Sequence, residues 1–205
     1  MEHYVITIAR QFGSLGRPIA KKLSEMLGIE YYDRDIVEET SKKLKLPVSF
    51  VSDQEENSKT NFFAMAFPLG MGTNAKQIEI FNAQASIIRK LAEKESCIIV
   101  GRCADYILRN QKNCVNVFIY ASYETRMRNC LDFLHMEENE AKKMIAKVDK
   151  ARESYHKTFT KHTPQDCEYM NIMIDSGLLG INGTAQILAN VVNLRFGACN
   201  EAMPE

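Results

Sequence analysis

The sequence predicts an α/β fold of three layers, a five-stranded parallel sheet with helices on both faces. Three observations carry this expectation. Short apolar runs alternate with stretches of helical period, and strands that alternate with helices wind a parallel sheet. Some of the runs are continuously apolar, as strands covered on both faces must be. Glycines and helix-capping residues stand where one kind of element passes into the next.

Val5-Ile6-Thr7-Ile8-Ala9 reads as the first strand. Ile19, Leu23, Met26 and Leu27 then recur at helical spacing, and Gly28 closes that helix. Ile29 to Tyr32 is a short second strand, followed by a helix from about Asp35 to Leu44 with Ile36, Val37, Thr40 and Leu44 on one side. The stretch at about 47–73 breaks the pattern. It opens with polar residues and continues into the apolar Phe62–Met71, which reads as an excursion or flap whose cover would be a substrate or, through 62–71, a second copy of the chain. A helix capped by Asn74 places Ile78, Phe81, Ala85, Ile88 and Leu91 on one face. Cys97–Val100, Val115–Tyr120 and Met170–Ile174 are the remaining strands. Between them lie a helix capped by Ser122 and a long amphipathic helix from about Glu138 to Tyr155. The last helix carries Ile187, Leu188, Val191, Val192 and Leu194.

A chain of 205 residues suits one domain over 1–205. With 26 basic and 26 acidic residues the formal charge is zero, so no global field draws the protein to nucleic acid or an anionic membrane, and anion binding must come from a local cluster. No apolar run reaches the roughly 20 residues that cross a bilayer. The six cysteines form no C-x-x-C pair and sit partly in apolar runs, which points to reduced thiols and a cytoplasmic protein.

Ligands of open parallel sheets bind beyond the carboxyl ends of the strands, so the loops there hold the candidate chemistry. After the first strand, Gly13-Ser14-Leu15-Gly16-Arg17-Pro18 opens directly into a helix. Glycines bring backbone amides close to an anion, and a helix N-terminus adds partial positive charge. Against the pattern G-x-x-x-x-G-K-[ST], Gln11 stands at the first glycine, Arg17 at the lysine and Pro18 at the hydroxyl. After the second strand, Asp33-Arg34-Asp35 positions Mg²⁺ through water, anchors an arginine, or simply places acid on a helix N-terminus. After Cys97–Val100 comes Gly101-Arg102, a planar cation suited to phosphate. Arg126 and Arg128 lie early on one helix, and Asp149 and Arg152 share a face of the long one. Histidines 3, 135, 156 and 162 show no shared spacing, hence no triad and no metal site.

Read together, Ile6–Ser14 with Gly16-Arg17, Tyr31–Asp35, Val100–Leu108, Val117–Ala121 and Asp149–Tyr155 resemble the cytidylate kinase-like family, a branch of the nucleoside monophosphate kinases. The resemblance implies a P-loop (NTP hydrolase-like) core, with a lid region at about 126–160. It implies ATP with Mg²⁺ as phosphoryl donor and cytidylate (CMP or dCMP) as default acceptor. Gly13, Ser14, Gly16, Arg17 and Pro18, with Arg126 and Arg128, would take the donor phosphates. Asp33, Asp35, Arg102, Asp149 and Arg152 would surround the acceptor, Asp149 reading the exocyclic amine of cytosine. Arg17, Asp33, Arg102 and Arg152 would be catalytic. Two positions depart from the family pattern: Cys103 replaces an aspartate after Gly-Arg, and Leu15 replaces a glycine. Two other readings therefore stay open, a kinase of another small molecule and a nucleotide-binding protein without turnover. A phosphotransferase requires Arg17, Arg102 and Arg152 to converge on one pocket.

Overall fold

The computed structural model describes residues 3–45 and 74–197. Its elements are β1 (Val5–Arg10), α1 (Gly16–Leu27), β2 (Glu30–Tyr32), α2 (Arg34–Leu44), α3 (Asn74–Lys94), β3 (Cys97–Val100), α4 (Ala104–Ile107), β4 (Cys114–Tyr120), α5 (Tyr123–Asp132), α6 (Glu138–Thr160), β5 (Ile172–Asp175) and α7 (Ser176–Phe196). The excursion at 47–73, including the apolar 62–71, and Cys199 lie outside the described residues.

The five strands form one sheet in the order β2-β3-β1-β4-β5, with every pairing parallel. Alternate residues of each strand feed opposite layers. Ile6, Ile8, Ile98, Val100, Val117 and Ile119 pack with Ile19 and Leu23 of α1 and Leu188 and Val192 of α7. On the other face Val5, Cys97 and Ile99 pack with Ile36 of α2, Ile88 of α3 and Ile107 of α4. Thr7 is the polar exception inside β1. It is buried opposite Asn116 in the β1–β4 register, and its hydroxyl donates to Asn116 Oδ1 at 2.7 Å, so the burial leaves no orphaned group.

The sequence and the fold differ in detail. The buried stripe of α3 begins at Ile80 rather than at Ile78, which is 52% exposed. Ile187 and Leu194 of α7 face outward, because the layer over the sheet takes only the stripe through Ala185, Leu188 and Val192. β5 is shifted toward Asp175, which pairs with Tyr120. α4 is too short for a periodic signal and was not expected at all. Ser122 caps α5 as its sequence suggests, its hydroxyl accepting from Thr125 N at 3.2 Å.

The site follows from the strand order. β1 lies between β3 and β4, so the chain leaves it toward one edge and later crosses to the other. The crevice of such a sheet opens at that reversal, beyond the carboxyl ends of β1 and β3. Those ends are Arg10 and Val100-Gly101.

Candidate active site

The turn from β1 into α1 is built to face an anion. Five successive carbonyls are each held by a protein donor. Arg10 O accepts from Arg152 Nη1 (2.9 Å), Gln11 O from Ser14 Oγ (3.0 Å) and Phe12 O from Arg126 Nη1 (3.4 Å). Gly13 O accepts from Asn129 Nδ2 (2.8 Å) and Ser14 O from Ser176 Oγ (2.7 Å). The amides of Gln11 and Phe12 are also bonded to protein, at Ile119 O and Asp149, so a concave nest of amides can be formed only from Gly13 onward. No side chain caps the start of α1, so the amides of its first turn are left to a ligand. Gly13 has φ +77°, and a Cβ there would stand 2.9 Å from Arg126 O. Leu15 takes the same left-handed region at φ 58° without being glycine, at a cost of about 1–2 kcal/mol.

Gln11 explains how this loop does without the first glycine of the usual motif. Its amide donates to Ile119 O (3.0 Å), and its side-chain oxygen accepts from Ala121 N (3.2 Å), which ties the turn to the end of β4. Ser14 serves the same framework. Its hydroxyl is fully buried on Gln11 O and Ile119 O (3.2 Å), so only its backbone amide is left for phosphate.

Asp33, at the end of β2, is buried to 2% exposure and forms the hub of the site. Arg17 is ion-paired to its Oδ2, and Arg10 Nη2 lies 3.9 Å from its Oδ1. Burial alone would raise the Asp33 carboxyl. Arg10, Arg17 and Arg102 outweigh it and hold the group below the ordinary carboxylate range. The guanidiniums show the reverse stress. Burial, then the neighbouring Arg152, drives Arg10 well below its ordinary value against the pull of Asp33. Burial lowers Arg102, and it takes Arg152 down to about 10 although Asp149 opposes it. Four guanidiniums thus surround one carboxylate, and a cluster so unbalanced calls for a bound anion.

The local sequence gives Arg10 no role. The neighbouring glycines are the signal for it. A Cβ on Gly16 would lie 2.8 Å from Arg10 Cβ and Cγ, and one on Gly101 would lie 2.4 Å from Arg10 Nη1. Both glycines are therefore required by the stem and head of Arg10.

Two cavities meet at this cluster. One is lined by the turn itself (Gln11, Gly13, Gly16, Arg17 and Pro18) and by Leu134 of the α5–α6 connection. The other lies beyond β3 and is lined by Gly101, Arg102, Cys103, Asp105, Tyr155 and His156. Arg10 and Arg152 line both. The loop beyond β3 is wound through three consecutive left-handed residues, Gly101 (φ 75°), Arg102 (φ 58°) and Cys103 (φ 54°). Strain of this kind persists where surrounding contacts fix it, typically at sites. Burial, reinforced by Asp105, pushes the Cys103 thiol well above its ordinary value, so it is no nucleophile at neutral pH. Tyr155 donates to Gln84 Oε1 (3.1 Å) and packs against the stacked pair Phe81–Phe159.

The structure brings together Gly13, Gly16, Arg17, Pro18, Asp33, Arg102 and Arg152. It sets others apart. Asp149 is engaged by the turn: Oδ1 accepts from Phe12 N (2.7 Å) and Oδ2 from Arg126 Nη1 (2.5 Å), so both oxygens brace it. Arg126 Nη1 is engaged by that pair and by Phe12 O, while its buried Nε has no partner. Arg128 is exposed on α5 and lines neither cavity. Asp35 is exposed in the first turn of α2, where its charge suits the helix dipole. His156 and His162 do meet, together with Asp105, although their spacing showed no pattern.

The P-loop kinase fold implies ATP and Mg²⁺ in general, and the residues here do not fit an ion held by the protein. Pro18 offers no hydroxyl, and Asp33 is engaged by arginines that repel a cation. A proline stands where a metal-binding loop has its hydroxyl, and guanidinium charge surrounds the nearby acid.

Residues 5–178 match the model of the cytidylate kinase-like family. No curated protein matches by sequence. Among solved structures, an uncharacterized protein from Eubacterium ventriosum is similar at 26% identity, with a TM-score of 0.71 over 93% of this chain and 99% of that one. A shikimate kinase from Acinetobacter baumannii, in complex with shikimate, shares the fold at 11% identity and a TM-score of 0.54, covering 95% of each chain. One from Bacteroides thetaiotaomicron does so at 12% identity and the same TM-score, over 93% of this chain and 98% of that one. With its strand order, its anion-facing turn and its paired cavities, the chain belongs to the cytidylate kinase-like family and is a kinase-type phosphotransferase of small nucleotides or metabolites.

Proposed function

We propose that the protein transfers the terminal phosphoryl group of ATP to a small phosphate-bearing acceptor, with cytidylate the first to consider. The observation that carries this reading is the shared wall of Arg10 and Arg152 between the two cavities. Donor phosphates lie on the amides of Gly13–Arg17 and against Arg17. The acceptor lies against Arg102 in the cavity beyond β3. An acceptor oxygen attacks the terminal phosphorus as the bond to the ADP oxygen breaks, and the charge of the loose transition state spreads onto Arg10 and Arg152.

A phosphate acceptor fits better than an alcohol. Its attacking oxygen arrives ionised, whereas an alcohol needs a base, and Asp33 and Asp149 are both held by arginines. Cytidylate itself rests on the family. Base recognition by Asp149 has no support in a carboxylate whose two oxygens are bonded, so another monophosphate remains the second reading.

The experiment is ADP release against a panel of nucleoside monophosphates and small alcohols. Cytidylate is expected to turn over, and Arg102→Ala to raise its KM by about 10- to 100-fold, the range of a charge-assisted hydrogen bond. Turnover of an alcohol alone would overturn the phosphate acceptor. Nucleotide binding with no turnover for any acceptor would replace the reading with a non-catalytic nucleotide-binding one.

A further inference from the structure

We propose that Asp105, His156 and His162 form a binding site for one divalent transition metal ion, of the zinc class, at the far wall of the cavity beyond β3. One ligand atom from each of the three lies within 4.8 Å of the others, and His156 Nε2 is 2.9 Å from Asp105 Oδ2. Asp105 and His156 are buried, at 6% and 5% exposure.

His156 and Asp105 pair with each other, and the buried, unpartnered Nε2 of His162 beside them is what points to a metal. His156 Nδ1 lies 3.0 Å from His162 O, and His162 Nδ1 lies 3.1 Å from Thr163 O. A carbonyl only accepts, so His162 Nδ1 carries the proton and its Nε2 presents a lone pair. His156, whose Nδ1 is also 2.9 Å from the Thr160 hydroxyl, donates from Nε2 to Asp105 and gives up that proton when an ion takes its place. Imidazoles that bind metal are fixed as His162 is, the second nitrogen donating to a backbone carbonyl. His162 Nε2 is buried and has no hydrogen-bond partner, so it is an orphaned acceptor of the kind a ligand satisfies. The rings are held in place. His162 stacks on Tyr169 with centroids 3.7 Å apart, and His156 meets His162 edge-on at 4.8 Å.

Two imidazoles and one carboxylate suit zinc and its first-row neighbours and suit Mg²⁺ poorly. Bonds of about 2.0–2.2 Å require the three donors to close in by roughly an ångström. Three protein ligands leave a fourth position. Because Asp105 and His156 line the cavity, an ion there would fix the segment after α6 to α4 and set the wall against which an acceptor packs. Nothing in this requires the kinase reading.

The test uses the untagged full chain stripped with EDTA. Co²⁺ and Zn²⁺ are titrated into the wild type and into His162→Gln and Cys167→Ser, with circular dichroism to confirm folding and Mg²⁺ as a comparison ion. His162 is chosen because it is only partly buried, and Cys167 because its thiol is exposed and free. The expected result is one ion per chain, Co²⁺ with visible d–d absorption, and a rise in Tm with Zn²⁺ but not with Mg²⁺. Binding should weaken by more than about 100-fold in folded His162→Gln, with Cys167→Ser unchanged. No stoichiometric binding to the wild type, or equal binding by folded His162→Gln, would overturn the site. Loss of binding in Cys167→Ser would move the ion elsewhere and overturn it too. If His162→Gln fails to fold, Asp105→Asn is measured in its place by the same criteria.

Discussion

At the scale of the residue, Asp33 sets the electrostatics of the site. Its carboxyl is held below the ordinary range, so it binds fewer protons in the folded chain than in the unfolded one at mildly acid pH. The stability it contributes is complete above the unfolded value of about 3.9 and is lost as pH falls through the lower folded value. Asp33→Asn removes the one carboxylate at the centre of the arginines and should cost about 3 kcal/mol in denaturant unfolding at pH 7. That cost should shrink when inorganic phosphate is added, and a loss indifferent to phosphate would argue against an anion-seeking cluster. Gly101→Ala tests Arg10. The new methyl would lie 2.4 Å from Arg10 Nη1, so the guanidinium must shift to admit it. With φ at +75° the stability loss should be about 1–2 kcal/mol, while kcat falls far more than the melting temperature. Parallel losses in the two would show a merely structural glycine. Arg10 also marks the limit of the sequence. Its importance comes from glycines 6 and 91 positions away, and no local pattern around it carries that information. Arg102 was legible because a glycine precedes it at the end of a buried strand.

At the scale of the element, α6 ties the β1–α1 turn to the rest of the site. Through Asp149 it holds Phe12 N and Arg126, and through Arg152 it caps the carbonyl of Arg10. A double-mutant cycle on Asp149→Asn and Arg126→Lys should show a coupling of about 1–2 kcal/mol in stability and a matching coupling in the KM for ATP, with little in the KM for the acceptor. Coupling confined to the acceptor would restore Asp149 to base recognition. The sequence announced α6 by its period, with Ala141, Met144, Ile145 and Val148 inward as found. It could not announce where Asp149 pointed, because an i,i+3 Asp–Arg pair on a helix looks the same whether it faces water, a ligand or a loop. The boundaries of β5 and the stripe of α3 moved by about two residues for a similar reason. Apolar residues such as Ile78 and Ile187 signal burial by type, and the tilt of a helix on its sheet decides which of them are covered.

At the scale of the molecule, the alternation of strands and helices was enough to specify three layers and a parallel sheet, because parallel connections leave few other topologies. The order β2-β3-β1-β4-β5 was not in the sequence, and it is what brings Arg10, Asp33 and Gly101 to one crevice. The histidine cluster is a product of the same long-range geometry, with Asp105 and His156 separated by 51 residues. A consequence for the whole chain is a melting temperature that depends on phosphate. Since an anion binds only the folded cluster, 100 times its Kd should stabilise by about 2.7 kcal/mol. Differential scanning fluorimetry in phosphate and in an uncharged buffer checks this, and equal melting temperatures would count against the site.

The five occupied carbonyls of the β1–α1 turn lead to a practical point about this protein as a reagent. Amides held open in this way do not distinguish a nucleotide from whatever small oxyanion is most abundant around them. In sulfate or phosphate well above the Kd of the turn for that anion, a nucleotide would arrive by displacing a lodger. Affinities measured in different salts will therefore be exchange constants between two anions, and the composition of the buffer enters the reaction as one of its participants.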